Sequence, residues 1–188
     1  MPRRAALLAL CLATPLLGEP ADTRPVARPS PQIDVSSYFA SALTAALTQA
    51  RDTYAAEADP IPSNIRGKLT LYYTAADLDP VRFIVDRSPA TLPALINGAQ
   101  LDAGGTANHA VVAGHVIVFG NPPGDETTLY LWAHEVCHTI QYRRLGMDGF
   151  AAAYLADAEG MEAAAHAAGL AAVRRARNPS APVEPHTC

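Results

Sequence analysis

Residues 125–146 read Asp-Glu-Thr-Thr-Leu-Tyr-Leu-Trp-Ala-His-Glu-Val-Cys-His-Thr-Ile-Gln-Tyr-Arg-Arg-Leu-Gly, and the fold turns on how this stretch is read. Asp125 suits a helix N-cap, Gly146 suits a helix stop, and no proline intervenes. His134 and His138 therefore stand one helical turn apart, about 40° round the axis, so both imidazoles can reach one metal ion. Glu135 lies on the flank beside them, where a carboxylate could take a proton from water activated by that ion. This is the His-Glu-x-x-His pattern of zinc peptidases. The apolar strand expected just before the helix, His115–Phe119, supplies the structural context that the motif needs. The bland alternative is two histidines and a glutamate on a solvated helix face.

Two histidines leave a zinc site one protein ligand short. A later helix, expected from about Glu159 to Arg177, offers Glu159, Glu162 and His166. Gly146 and a short helix over Phe150–Ala156 allow the chain to reverse before it. Glu162 is the expected third ligand, with His166, one turn further on, as its neighbour and partner. His166 as the ligand itself, giving three histidines, is the rival reading. Glu159 is explained by the favourable placement of a carboxylate at a helix start.

Upstream, a helix is expected from Ser36 or Ser37 to about Glu57, ended by Asp59-Pro60-Ile61-Pro62. Leu69–Tyr73, Val81–Val85, Ala110–Val112 and His115–Phe119 read as strands, the last two joined as a hairpin through Ala113-Gly114. Pro93–Gly98 reads as a helical turn, and Asn121–Gly124 stops the sheet. The layout is α+β in one domain: a small, mostly antiparallel sheet followed by the metal-binding helix and further helices.

The 188 residues are 49% hydrophobic, enough to bury the core of one domain. A net charge of -4 argues against a nucleic-acid binder, and no repeat or long apolar run suggests collagen, a coiled coil or a multi-pass membrane protein. Alanine accounts for 38 positions, so alanine-rich segments look helical whatever their role. Arg3 and Arg4 followed by the apolar run Ala5–Leu17 have the layout of a signal peptide over residues 1–18, too short to span a bilayer. Export to the periplasm or beyond is expected, with no membrane span in the mature chain. Residues 19–33 read as a Pro-rich linker and 178–188 as a disordered tail. Loss of Cys11 with the signal leaves Cys137 and Cys188, which could pair or remain two thiols.

The segments His115–Gly120, Leu131–Glu135, Gln141–Gly146, Asp148–Phe150 and Tyr154-Leu155 together resemble the core domain found with extracellular contractile injection systems. The resemblance covers about Ile61 to Ala168. It implies a zincin-like metallopeptidase with a gluzincin-like arrangement, in a single domain over residues 34–177. In that arrangement a glutamate on a following helix, here Glu162, completes the metal site. An aspartate often follows that glutamate by four residues; His166 stands there in this chain. Cys137 replaces the Thr or Val that the family often carries.

The expected function is that of a zinc metallopeptidase, with Zn²⁺ held by His134, His138 and Glu162 and Glu135 as the general base. The alternative is an inactive zincin-fold binding or assembly module that keeps the metal. A peptide or protein is the expected substrate, adding as a strand beside His115–Phe119 at the cleft edge. Tyr142 and Tyr154 are candidates to stabilise an oxyanion, each also readable as core or rim. Trp132 is expected against the sheet, His109 and His115 in surface or structural roles, and Arg143 and Arg144 on a solvated helix end. Nothing in the sequence indicates an oligomeric state.

Overall fold

The computed structural model describes residues 35–85, 110–120, 126–180, 182 and 185–188, all within a compact unit spanning Ile33–Cys188. The expected signal peptide and linker, the turn at Pro93–Gly98, the stop at Asn121–Gly124, His109 and the Asp125 cap lie outside these residues. Helix α1 (Val35–Tyr54) precedes the two-residue strand β1 (Asp59–Pro60), α2 (Ser63–Leu69), α3 (Ala75–Leu78) and β2 (Arg82–Val85). The hairpin β3 (Ala110–Ala113) and β4 (Val116–Phe119) follows, and then α4 (Glu126–Arg177). The α+β reading holds. Leu43, Leu47, Ala50 and Tyr54 form one buried stripe on α1, which packs chiefly on α4.

The sheet runs in the order β1-β2-β4-β3. Both outer pairings are antiparallel and the central one, β2 with β4, is parallel, in register from Arg82↔Val116 to Val85↔Phe119. Every residue of β4 is buried, as the unbroken apolar run Val-Ile-Val-Phe requires of an interior strand. This corrects the expectation that a peptide could add beside His115–Phe119, because both edges of β4 are already paired. The outer edge belongs to β3, where the carbonyl of Val112 accepts the Tyr142 hydroxyl at 3.1 Å. The hairpin turn falls at Gly114-His115, one residue later than expected. Ala113 pairs with Val116, and the tight turn needs the positive φ of Gly114, 65°.

A second correction concerns Leu69–Tyr73, which is not a strand. Leu69 ends α2, and a hydrogen-bonded turn follows, with Tyr73 N–H donating to Leu69 O at 2.8 Å. A strand would send Tyr72 and Tyr73 to opposite faces. The turn instead sets their rings edge to face at 4.9 Å, and the Tyr73 hydroxyl donates to Ala133 O on α4 at 2.6 Å. That tertiary bond outweighs a local β preference. The short α3 carries a capping box, in which the Thr74 hydroxyl accepts from Asp77 N–H and the Asp77 carboxylate accepts from Thr74 N–H.

Helix α4 has three arms, 126–145, 147–156 and 158–177, divided at Gly146 (φ 72°) and Asp157 (φ -153°, ψ 66°). Gly146 stops the first arm as expected. Asp157 starts the third by accepting Gly160 N–H at 2.9 Å. Trp132 packs on the sheet, 4.7 Å from the Phe119 ring and 5.1 Å from Phe83.

The reading of 178–188 as a disordered tail fails for residues 185–188. Cys188 is bonded to Cys137, with the Cα atoms 5.2 Å apart, and both residues are buried. His186 lies against the Tyr73 ring at 5.2 Å and the Asp77 carboxylate at 3.5 Å. Arg143 and Arg144 are exposed, as expected of a solvated helix end, and both are also tied to other segments. Arg143 pairs with Asp77 and donates to Ala76 O, while Arg144 donates to Cys188 O. Arg143 thus bridges α3 to α4.

Burial opposes ionisation of Asp77, but hydrogen bonds from Thr74 and Arg143 prevail and bring its pKa down to about 2. Because the folded value is depressed, its stabilisation is complete above the unfolded pKa and is lost as pH falls through that range towards 2. Replacement Asp77→Asn should cost about 1–3 kcal/mol at neutral pH, measured by urea unfolding, and the gap from the parent should close on acidification. Replacement Cys188→Ser should lower stability by about 2–4 kcal/mol under non-reducing conditions, and by little once the parent is reduced.

Candidate metal centre

The first arm of α4 aims His134 and His138 at the third arm. Their Nε2 atoms lie 3.1 Å apart. The Glu162 carboxylate faces both, with Oε2 at 3.2 Å from His134 Nε2 and Oε1 at 3.5 Å from His138 Nε2. One donor atom from each of the three residues falls within 4.8 Å of the others. The two histidines are buried and Glu162 is half-buried. The sequence pointed to these three residues, and the structure brings them together. Glu159 is exposed and outside the cluster.

A hydrogen-bond chain sets the imidazole of His138. The Gln141 side-chain amide donates to Met161 O on the third arm at 3.1 Å, which turns its carbonyl oxygen onto His138 Nδ1 at 2.9 Å. That oxygen can only accept, so Nδ1 carries the proton and Nε2 offers a lone pair to the cluster. On the other side the Tyr154 hydroxyl donates to Glu162 Oε1 at 2.9 Å. Tyr154 is also the end of a ring stack with Phe150 and Tyr142, at centroid spacings of 5.6 and 3.6 Å. Of the two expected oxyanion candidates, Tyr142 is thus committed to the core and to Val112, while Tyr154 touches the centre.

Electrostatics separate the two carboxylates. Burial opposes the charge of Glu162, but the hydrogen bonds and charges of His134 and His138 hold its pKa well below the usual carboxylate range. Glu135 is buried, and that burial pushes its pKa up against the opposing pull of the two histidines. For His138, burial lowers the pKa, and the bond to Glu162 more than reverses this.

His166 does not join the three donors. Its Nδ1 is hydrogen-bonded to the Tyr130 hydroxyl, and its ring lies 4.8 Å from that of His134. It is a neighbour of a ligand candidate and makes no hydrogen bond to Glu162 among the described residues. Gln141 and Tyr130 were missed as site residues. Each sits three or four positions from a histidine of the pair, so the i±3 and i±4 rule for shared helix faces could have found them.

Two imidazole nitrogens and a carboxylate oxygen are the donor set of a zinc site that keeps an open position. The 3.1 Å between the Nε2 atoms is close to the tetrahedron edge of about 3.3 Å set by bonds of ~2.0–2.1 Å. The residues present therefore fit a divalent ion.

Residues 60–146 match the family described as the eCIS core domain. No curated protein and no solved structure is significantly similar to the chain. The match includes the sheet and the histidine pair with Glu135, and it ends at Gly146, ahead of Glu162 and short of the reach to Ala168 expected from the sequence. From Pro60 to Gly146, the end of the first arm of α4, the chain is similar to the eCIS core domain.

Proposed function

We propose that the chain is an exported zinc metallopeptidase that hydrolyses peptide bonds. The observation that carries this reading is a buried carboxylate, Glu135, with a raised pKa, set beside two imidazoles and a second carboxylate that fit a metal ion. His134, His138 and Glu162 would hold a zinc ion, whose Lewis acidity would polarise a scissile carbonyl and make water a stronger acid.

The chain's own residues do the rest. Glu135, poorly solvated and therefore a stronger base than a surface carboxylate, takes the proton and passes it to the leaving amine. Gln141 holds His138 in the tautomer that presents its lone pair. Tyr154 fixes one oxygen of Glu162. The Tyr130 hydroxyl, hydrogen-bonded to Nδ1 of His166, positions that ring beside His134, 4.8 Å between centroids. Export is supported by the basic and apolar start of the sequence and by the Cys137–Cys188 disulfide, which suits an oxidising compartment. Among the described residues, no helix is long and apolar enough to cross a membrane.

The test measures zinc content and hydrolysis of a quenched peptide library on the same preparations. Glu135→Gln should keep zinc at one equivalent per chain and lower hydrolysis by about 10²–10⁴-fold. Full activity in that variant would overturn Glu135 as the general base, and a zinc-loaded parent that cleaves nothing in the library would leave the metal-keeping binding module as the reading. Gln141→Leu should weaken zinc affinity by about 10–100-fold, measured by competition with a chelator. His134→Ala with His138→Ala should abolish stoichiometric zinc.

A further inference from the structure

Around the flank of the metal helix, some 100–140° from His138, Thr139 and Arg143 open onto a cavity of about 260 Å³. Its far side is formed by Arg51 from α1 and by His115 and Gly114 from the hairpin turn. None of the proposed metal ligands lines it.

The cavity is rich in donors and poor in acceptors. Arg51 is engaged by Asp52, but the side chain of that aspartate is 62% exposed, so the pair is solvent-screened and weak. The imidazole of His115 makes no hydrogen bond among the described residues. Burial and the positive charges of Arg51 and Arg82 all act to keep that ring neutral. Arg143 donates to Asp77 and Ala76 O. The one carboxylate in the lining, Asp77, is already taken by Thr74 and Arg143, with His186 at 3.5 Å. What remains for a guest is a guanidinium, an imidazole and a net positive field. The rest of the wall is apolar: Pro80, Val81, Met147 and the ring of Tyr142.

We infer that this cavity binds a small organic carboxylate, its charged end at Arg51 and His115 and a short apolar body against Val81 and Met147. The volume lies just under the usual range of ~300–1,000 Å³ for small-molecule sites, which favours a guest smaller than a drug-sized ligand. The apolar wall separates such a guest from a bare oxyanion, which would gain nothing there. Binding does not depend on the metal or on peptidase activity.

Isovalerate, its neutral isostere isovaleramide, N-acetylvaline and inorganic phosphate are titrated into the full chain, with and without zinc, following the His115 ring by NMR and the melting temperature. Isovalerate should shift the His115 signals saturably with a Kd on the order of 1 mM, and Arg51→Gln should weaken this at least tenfold while zinc content stays unchanged. Tighter binding of N-acetylvaline assigns the site to the terminal carboxylate of a peptide; tighter binding of isovalerate assigns it to a free acid. Equal binding of the amide, equal or tighter binding of phosphate, no saturation by about 20 mM, or an unaffected Arg51→Gln variant would overturn the inference.

Discussion

Two imidazole nitrogens held 3.1 Å apart, with a carboxylate facing both, form an arrangement that a folded chain sustains only under constraint. Spacing of one helical turn supplies the histidine pair at no cost in backbone geometry. The carboxylate is harder to place, because it comes from the same helical segment the equivalent of nearly seven turns after His138. It arrives only because α4 breaks twice, at Gly146 in a left-handed conformation and at Asp157 in an extended one. Those two residues fold the third arm back along the first, and the Gln141 amide closes the return by bonding both His138 and Met161.

The first arm is fixed on its remaining sides by contacts of other kinds. Trp132 anchors it to Phe119 and Phe83 on the sheet. Tyr73 bonds the carbonyl of Ala133, the residue just before His134. Cys137, immediately before His138, is bonded covalently to Cys188. Asp77 gathers Thr74, Arg143 and His186 at one carboxylate, joining α3, α4 and the 185–188 segment. The histidine pair thus rides on a helix whose position is set from the sheet, from α2 and α3 and from the last residues of the chain. Rigid support of this type is what a preformed metal site requires.

The ring stack of Tyr142, Phe150 and Tyr154 links the donor-rich cavity to the candidate metal centre. Tyr142 lines the cavity, and Tyr154 bonds Glu162 at the other end. The second arm of α4, which carries Phe150 and Tyr154, is therefore more than a connector. It sets a stack of aromatic rings between two polar sites.

Glu162 was expected, with His166 as its rival, but it stands far from His138 in sequence; local pattern alone determined the histidine pair with Glu135, the stop at Gly146 and the hairpin. These features follow from helical period, from glycine at positive φ and from short-range capping, all written within a few residues of one another. The Thr74–Asp77 capping box was equally local and was passed over. Only the tertiary structure decided that Leu69–Tyr73 turns, that β4 is interior, that Arg143 pairs with Asp77, that Cys137 joins Cys188 and that Tyr130 holds His166. Each of these depends on a partner far along the chain, from 34 residues for β2 with β4 to 66 for Arg143 with Asp77. Propensity and periodicity carry no information over such separations; packing does, because a buried donor, acceptor or ring edge is stable only where another segment meets it.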